Sequence, residues 1–159
     1  PNQVTTSWFM RPDRDTQRVI MDTPSGLDVS QFRRALMECD AILIPVLPSA
    51  IDIHAVSRFI GDMLLQGKFK REDGRIAVVA NRARKNTLVY QQLEKFLNSL
   101  GIPFVTTLRD TQQYIRANEE GKGIFEMPVS LVKKDLETWR PLLAWLKQCE
   151  ARRENQRAV

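Results

Sequence analysis

Four short, continuously apolar runs alternate with helical patterns along this chain. The runs cover Arg18–Asp22, Ala41–Val46, Ile76–Ala80 and Pro103–Thr107, and each ends at a cluster of polar or small residues. Uniformly apolar runs of this length are typical of parallel strands that are buried on both faces. Because strands and helices alternate, the pattern predicts an α/β fold: a doubly wound, mostly parallel sheet with right-handed crossovers and helices on both faces.

Apolar residues at helical spacing predict the helices that connect these strands. They are expected over about Asp28–Cys39, Asp52–Leu64, Val89–Leu100, Thr111–Asn118 and Ser130–Glu150. Gly101 follows the third helix and is placed to end it. The charged segment 151–159 is expected to fray beyond the last helix.

Length and composition limit the domain organisation and the partners. A chain of 159 residues with 43% hydrophobic residues is expected to form one domain over residues 1–150, followed by the charged tail 151–159. The net charge of +5 favours an acidic partner such as nucleic acid, a nucleotide or an anionic membrane. Cys39 and Cys149 have neither the number nor the spacing of a disulfide framework or a metal site. No apolar stretch reaches spanning length. We therefore expect a cytoplasmic protein. After Trp145 the tail has almost no apolar face, so we expect no membrane-binding helix there.

Polar clusters at the ends of the strands are the candidate site, because parallel strands bring their carboxyl ends to one edge of a sheet. Asp22 ends the first run and precedes Thr23–Gly26, so its carboxylate could hold Mg²⁺ directly or through water. Gly26 would let the backbone approach a phosphate closely. The alternative is that Asp22 caps a turn and Gly26 only serves that turn.

Two later strand ends carry groups that suit a nucleobase. The amide of Asn81 can offer a donor and an acceptor together, as the edge of adenine requires. Arg109 and Asp110 follow the next run and would flank the same base. From the residues alone, Asn81 could equally end a strand in a turn, and Arg109 and Asp110 could form a solvated ion pair.

Four segments in order resemble one protein family. Val19–Gly26 is similar to the Walker B and switch II segment of ParA/MinD-type ATPases, the deviant-Walker P-loop proteins that partition plasmids, chromosomes and other cargo. Pro45–Asp52 resembles their Pro-Ser-x-x-Asp loop, Val78–Arg82 their adenine-side Asn strand, and Thr107–Asp110 their last nucleotide-side loop. Several motifs in the correct order are more specific than any one of them.

The resemblance implies that ATP and Mg²⁺ are the cofactors. Asp22 would hold Mg²⁺ and take part in catalysis, and Gly26 would contact the γ-phosphate. The remaining nucleotide contacts would come from Pro48, Asn81, Arg82, Leu108, Arg109 and Asp110. Catalysis in such proteins consists of positioning and charge neutralisation during in-line phosphoryl transfer.

The sequence departs from the family at the P-loop. A P-loop consists of a Gly, any four residues, Gly-Lys and then Ser or Thr, and no such run occurs in this sequence. We therefore expect the first strand, the P-loop and the first helix of the family fold to be absent from this chain. These residues alone are expected to turn over negligible ATP, and the loss of a central strand would expose unpaired strand edges.

The resemblance also implies partners: an ATP-bound homodimer, non-specific DNA of the nucleoid, and a ParB-like or cargo-adaptor protein. Phosphate contacts require a basic surface, for which Arg82, Arg84, Lys85 and Arg116 are the candidates. Two alternatives remain. One is a non-catalytic interaction module that kept the fold and lost the P-loop. The weaker one is a synthetase or iron–sulfur reductase of the same superfamily, although no cysteine lies in a Gly-rich cluster-ligand setting.

Overall fold

A computed structural model of the chain describes residues 13, 15–23, 39–66 and 74–157. The chain divides into two compact units, Pro1–Cys39 and Asp40–Val159. In the first unit, residues 16–23 have no regular secondary structure, so the strand predicted over Arg18–Asp22 is wrong. Val19 is 65% exposed and Ile20 96% exposed. A strand requires a neighbour for its backbone N–H and C=O groups, and the described part of this unit contains no other strand.

Two further expectations concern the first unit. The helix expected over Asp28–Cys39 lies outside the described residues apart from Cys39, which is not helical. Gly26 also lies outside them.

The second unit contains a parallel three-stranded sheet with helices, an α/β arrangement. Its strands are β1 (Ile42–Val46), β2 (Ile76–Ala83) and β3 (Phe104–Arg109), and β2 lies between the other two. Ile42 pairs with Ile76 in β1–β2, and Val78 pairs with Phe104 in β2–β3. Three of the four predicted strands are therefore confirmed.

Within the described residues, four helices connect or follow these strands. They are α1 (Ala50–Gln66), α2 (Leu88–Ser99), α3 (Gln112–Glu119) and α4 (Val129–Arg157), with a 3₁₀ turn at Ile124–Glu126. Thr87 caps α2 by accepting the Tyr90 N–H, and Thr111 caps α3 by accepting the Gln113 N–H. Gly101 follows α2 with a φ of +63°, as the predicted end of that helix requires.

The central strand β2 and the edge strand β1 of the described sheet differ in how far helices cover their two faces. Ile76–Ala80 are all buried in β2, which therefore has both faces covered. One face of β2 packs Ala77 and Val79 against Leu142, Trp145 and Cys149 of α4. In β1, by contrast, exposed residues alternate with buried ones, and Leu43 is 39% exposed. The burial of β2 agrees with the expectation of cover on both faces, whereas β1, at the edge of the described sheet, has one exposed face.

Helix α4 extends seven residues past its expected end at Glu150, to Arg157. Side chains from this extension contact the residues just before β1 and just before β2. The Arg152 Nη2 donates to the Gly74 carbonyl at 2.7 Å, and Arg153 pairs with Asp40. No Gly or Pro interrupts residues 150–157, and these contacts help to hold a helix over residues 151–157, where fraying was expected. No helix in the described part of the chain has the length and apolar character needed to cross a bilayer.

Candidate functional site

The register of the sheet brings three of the predicted polar clusters to one edge. Val46 lies opposite Ala80, and Ala83 lies opposite Arg109. The turn after β1, the last residues of β2 and the last residues of β3 are therefore neighbours at the carboxyl ends of the strands. This is where open parallel sheets bind ligands.

The turn after β1 serves as a helix cap. The Ser49 Oγ accepts the Asp52 backbone N–H at 3.1 Å, and the Ser49 hydroxyl donates to the Asp52 carboxylate. Ser49 thus satisfies one of the free N–H groups at the start of α1. Pro48 is half-buried just before the cap. The Pro-Ser-x-x-Asp pattern consequently fixes where α1 begins at the strand edge.

The end of β2 contains a bulge at Asn81 and Arg82. Between Ala80 and Ala83, β2 advances three residues while β3 advances two, from Thr107 to Arg109. The extra residue is accommodated at Arg82, whose φ of +48° lies in the left-handed region. The sequence placed Asn81 and Arg82 after the strand, whereas the strand continues through them to Ala83. This correction follows from pairing with β3, which the apolar pattern does not encode.

Asn81 is left with free donors at this bulge. Its Oδ1 accepts the backbone N–H of Arg82 at 3.0 Å. The amide nitrogen has no hydrogen-bond partner among the described residues, so the side chain offers two N–H donors to a ligand.

The left-handed conformation of Arg82 predicts a residue-specific effect on stability. Arg82→Val is expected to lower the free energy of unfolding by about 1–2 kcal/mol relative to Arg82→Asn, because a β-branched side chain is strained at positive φ and Asn tolerates it. Urea denaturation of both variants measures this difference. The same two substitutions at Arg84, which is not left-handed, serve as the control. Equal stability of the two Arg82 variants would contradict the backbone assignment.

Arg84 joins the ends of β2 and β3. Its Nε and Nη2 both lie 2.8 Å from the Asp110 Oδ2, and the Asp110 N–H donates to the Ala83 carbonyl at 3.1 Å. The Arg84 side chain is 74% exposed, so this pair contributes at most about 1 kcal/mol to stability. Arg84 was a candidate for DNA binding, but its guanidinium forms an ion pair with Asp110, which is itself a candidate site residue.

Arg109 does not pair with its neighbour Asp110. Its Nη1 donates to the Asp135 Oδ1 at 2.9 Å, and the Asp135 side chain is 1% exposed. The sequence reasoning missed Asp135. A signal for it existed, because Asp135 is a carboxylate within the apolar stripe of α4 that contains Val132, Trp139 and Leu142.

Leu108 contributes to the core. It is half-buried and packs against the apolar cluster formed by Ala77, Val79 and Trp145. Its side chain therefore holds α4 against the sheet, although the resemblance implied a nucleotide contact.

The remaining basic candidates differ in their pairing. The Arg116 Nε lies 3.1 Å from Glu120 and the Lys122 Nζ lies 2.9 Å from it. Hydrogen bonds from Lys122 and then Arg116 lower the pKa of the Glu120 carboxyl below its ordinary value. Arg82 and Lys85 are exposed, and neither side chain has an acidic partner within the described ranges. They are therefore better placed than Arg84 and Arg116 to contact an external anion.

The candidate metal ligand belongs to the other unit. Asp22 is exposed in the irregular segment 16–23. No group of three His, Cys, Asp or Glu side chains within the described residues could hold a metal ion. A single exposed carboxylate nevertheless fits Mg²⁺, which is usually held by one or two carboxylates together with substrate phosphates and water.

A buried polar chain fixes α2 to β3 below the strand ends. The Tyr90 hydroxyl lies 2.9 Å from the Thr107 Oγ1 and 2.8 Å from Glu94. Burial raises the pKa of Tyr90 above its ordinary value of 10.0, with an opposing effect from the Thr107 hydrogen bond. Ionisation of Tyr90 therefore disfavours the folded state, and stability falls as the pH rises above 10 through the raised pKa.

Comparison with known proteins finds a similarity over part of the chain. The chain is 31% identical over 110 residues to Maintenance of carboxysome distribution protein A of Halothiobacillus neapolitanus (strain ATCC 23641 / c2). No family model matches the chain, and no solved structure matches it. The match covers 69% of this chain and 50% of that protein, so this chain is similar to about half of a protein named for maintaining carboxysome distribution.

Proposed function

We propose that this chain is part of a ParA-type ATPase that positions a cargo in the cell. The observation that carries the proposal is the convergence of the Pro48, Asn81 and Arg109 segments at one edge of a parallel sheet. Support also comes from the similarity to a protein named for distributing carboxysomes. A cargo of that kind, a plasmid or a chromosome would fit the proposal equally.

The proposed nucleotide site assigns a role to each residue. Asn81 donates to the adenine edge, while the backbone of Arg82 and the side chains of Arg109 and Asp110 surround the base. Pro48 and the backbone of Leu108 border the pocket. Asp22 serves Mg²⁺ and Gly26 contacts the γ-phosphate. Mg²⁺ supplies neutralisation of the phosphate charge, and the residues of this chain bind and orient the nucleotide. Because the sequence has no P-loop run, the lysine and backbone donors for the phosphates would come from another part of the protein or another chain.

The proposed switch is a homodimer that forms with ATP, binds nucleoid DNA without sequence preference and is reset by hydrolysis. A ParB-like or cargo-adaptor protein would stimulate that hydrolysis. We assign the first phosphate contacts to Arg82 and Lys85, because both are exposed and neither is paired with an acidic group in the described part of the chain. Arg84 and Arg116 each have an acidic partner that a phosphate would have to displace.

Retention of duplex DNA by the complete protein tests this proposal. The logarithm of the DNA association constant falls linearly with the logarithm of the salt concentration. With Mg-ATP present, we expect this slope to become less negative by about 2 in Arg82→Gln/Lys85→Gln, since two phosphate contacts are lost. The matched control, Arg84→Gln/Arg116→Gln, removes the same charge and should change the slope less. Filter binding from 50 to 200 mM salt, a range in which such contacts dominate, measures both slopes.

Two outcomes would contradict the proposal. Equal slopes in the two double variants would move the DNA surface away from Arg82 and Lys85. Retention that does not differ between ATP and ADP in the wild-type protein would contradict the nucleotide switch and favour the non-catalytic interaction module.

A further inference from the structure

Asp135 is a buried carboxylate that pairs with Arg109. Only 1% of its side chain is exposed, whereas that of Arg109 is 39% exposed. Removing a carboxylate from water is costly unless it is paired and hydrogen-bonded. An apolar side chain at this position of α4 would avoid the cost, as it does at Val132 and Leu142 nearby. Asp135 therefore calls for a role beyond helix packing.

The position of Asp135 is fixed from two sides. The Thr106 Oγ1 of β3 donates to the Thr138 carbonyl of α4 at 2.6 Å, and the Thr138 Oγ1 donates to the Asp135 carbonyl at 2.6 Å. On the side of α3, the Trp139 Nε1 donates to the Tyr114 hydroxyl at 2.8 Å. The helix turn that carries Asp135 is thus held to both β3 and α3.

Arg109 is the last residue of β3, and its side chain reaches this fixed carboxylate from the strand end. Its Nη1 donates to Asp135, and its other N–H groups have no partner in the described part of the chain. The planar guanidinium presents its donors in a rigid fork, which suits an anionic or heteroaromatic ligand. Asp110, the next residue, is held separately by Arg84.

We propose that Asp135 is a positioning residue, which holds Arg109 in one orientation so that its free N–H groups face a nucleotide bound at the strand ends. The inference rests on the proposed nucleotide function. An unheld arginine would lose rotamer freedom on binding. A side chain ordered beforehand avoids that loss, which corresponds to between about 2-fold and 10-fold in affinity.

A double-mutant cycle tests the inference on the complete protein. We expect Asp135→Asn, which preserves shape, to weaken Mg-ATP binding about 5-fold by isothermal titration. In the Arg109→Gln background, Asp135→Asn should change the affinity less than about 2-fold, because no guanidinium is left to orient. Arg153→Gln is the matched control: it breaks an Arg–Asp pair at the far end of the same helix and should leave the affinity unchanged.

The outcomes separate a positioning role from a structural one. If Asp135→Asn lowers the melting temperature without changing ATP affinity, or weakens binding equally in both backgrounds, the inference is overturned while the proposed function stands. If the wild-type protein binds no ATP, the proposed function fails, and the positioning role fails with it.

A second measurement applies if Asp135→Asn does not fold. Nitrogen relaxation of the arginine Nε–H groups in the wild-type protein should show Arg109 as rigid and Arg82 as mobile on the nanosecond timescale. Equal mobility of the two side chains would overturn the inference without reference to ATP.

Discussion

Replacing Asp22 with alanine is expected to remove Mg²⁺-dependent ATP hydrolysis from the complete protein, with a fall in turnover of about 100-fold or more. The proposed site uses this carboxylate to hold the metal, and loss of one preorganised electrostatic group typically lowers turnover by about 10²–10³-fold. Phosphate release measured against Mg²⁺ concentration would check the result.

Asp15→Ala is the matched control for this prediction. Asp15 is another exposed carboxylate of the same unit, and no role is assigned to it. Its removal should leave turnover unchanged. If Asp22→Ala hydrolyses ATP as well as the wild-type protein, the metal was assigned to the wrong residue.

Replacing Trp145 with alanine is expected to lower the free energy of unfolding by about 3–5 kcal/mol. Trp145 is 7% exposed and packs with Ala77 and Val79 of β2 and with Leu142 of its own helix. Its removal leaves a cavity between α4 and the sheet as well as losing apolar burial. Urea denaturation measures the change. The slope of the unfolding free energy against urea concentration should be the same in the variant and in the wild-type protein.

Leu143→Ala provides the comparison on the same helix. Leu143 is 40% exposed, so its truncation should cost about 1 kcal/mol or less. Comparable losses from Leu143→Ala and Trp145→Ala would mean that α4 does not pack on β2 through this face. Since α4 also carries Asp135, we expect Trp145→Ala to weaken ATP binding as well.

Most of the second unit could be predicted from local patterns. The runs at Ile42–Val46 and Ile76–Ala80 form strands, as their apolar character predicts, and the stripe containing Leu93 and Leu97 forms α2. The run at Arg18–Asp22 has the same pattern and has no regular structure. The difference lies in pairing, since an apolar run becomes a strand only when a neighbour accepts its backbone hydrogen bonds.

The candidate site could be predicted only in part. The positions of Asn81 and Arg109 at strand ends follow from the sequence, whereas their partners do not. Arg109 was expected to pair with Asp110 if it paired at all. Instead, Arg84 forms an ion pair with Asp110, and Arg109 forms one with Asp135. Both partners are distant in sequence and close in space, so no local spacing rule identifies them.

The sequence by itself determined the alternation of strands and helices, the order of the polar clusters and the excess of positive charge, because each depends on residue type and local period. Only the tertiary structure decided the bulge at Arg82, the burial of Asp135, and which cations are paired and which are free. These features depend on sheet register and on helix packing between distant segments. Non-local contacts of this kind set the chemistry of the strand ends.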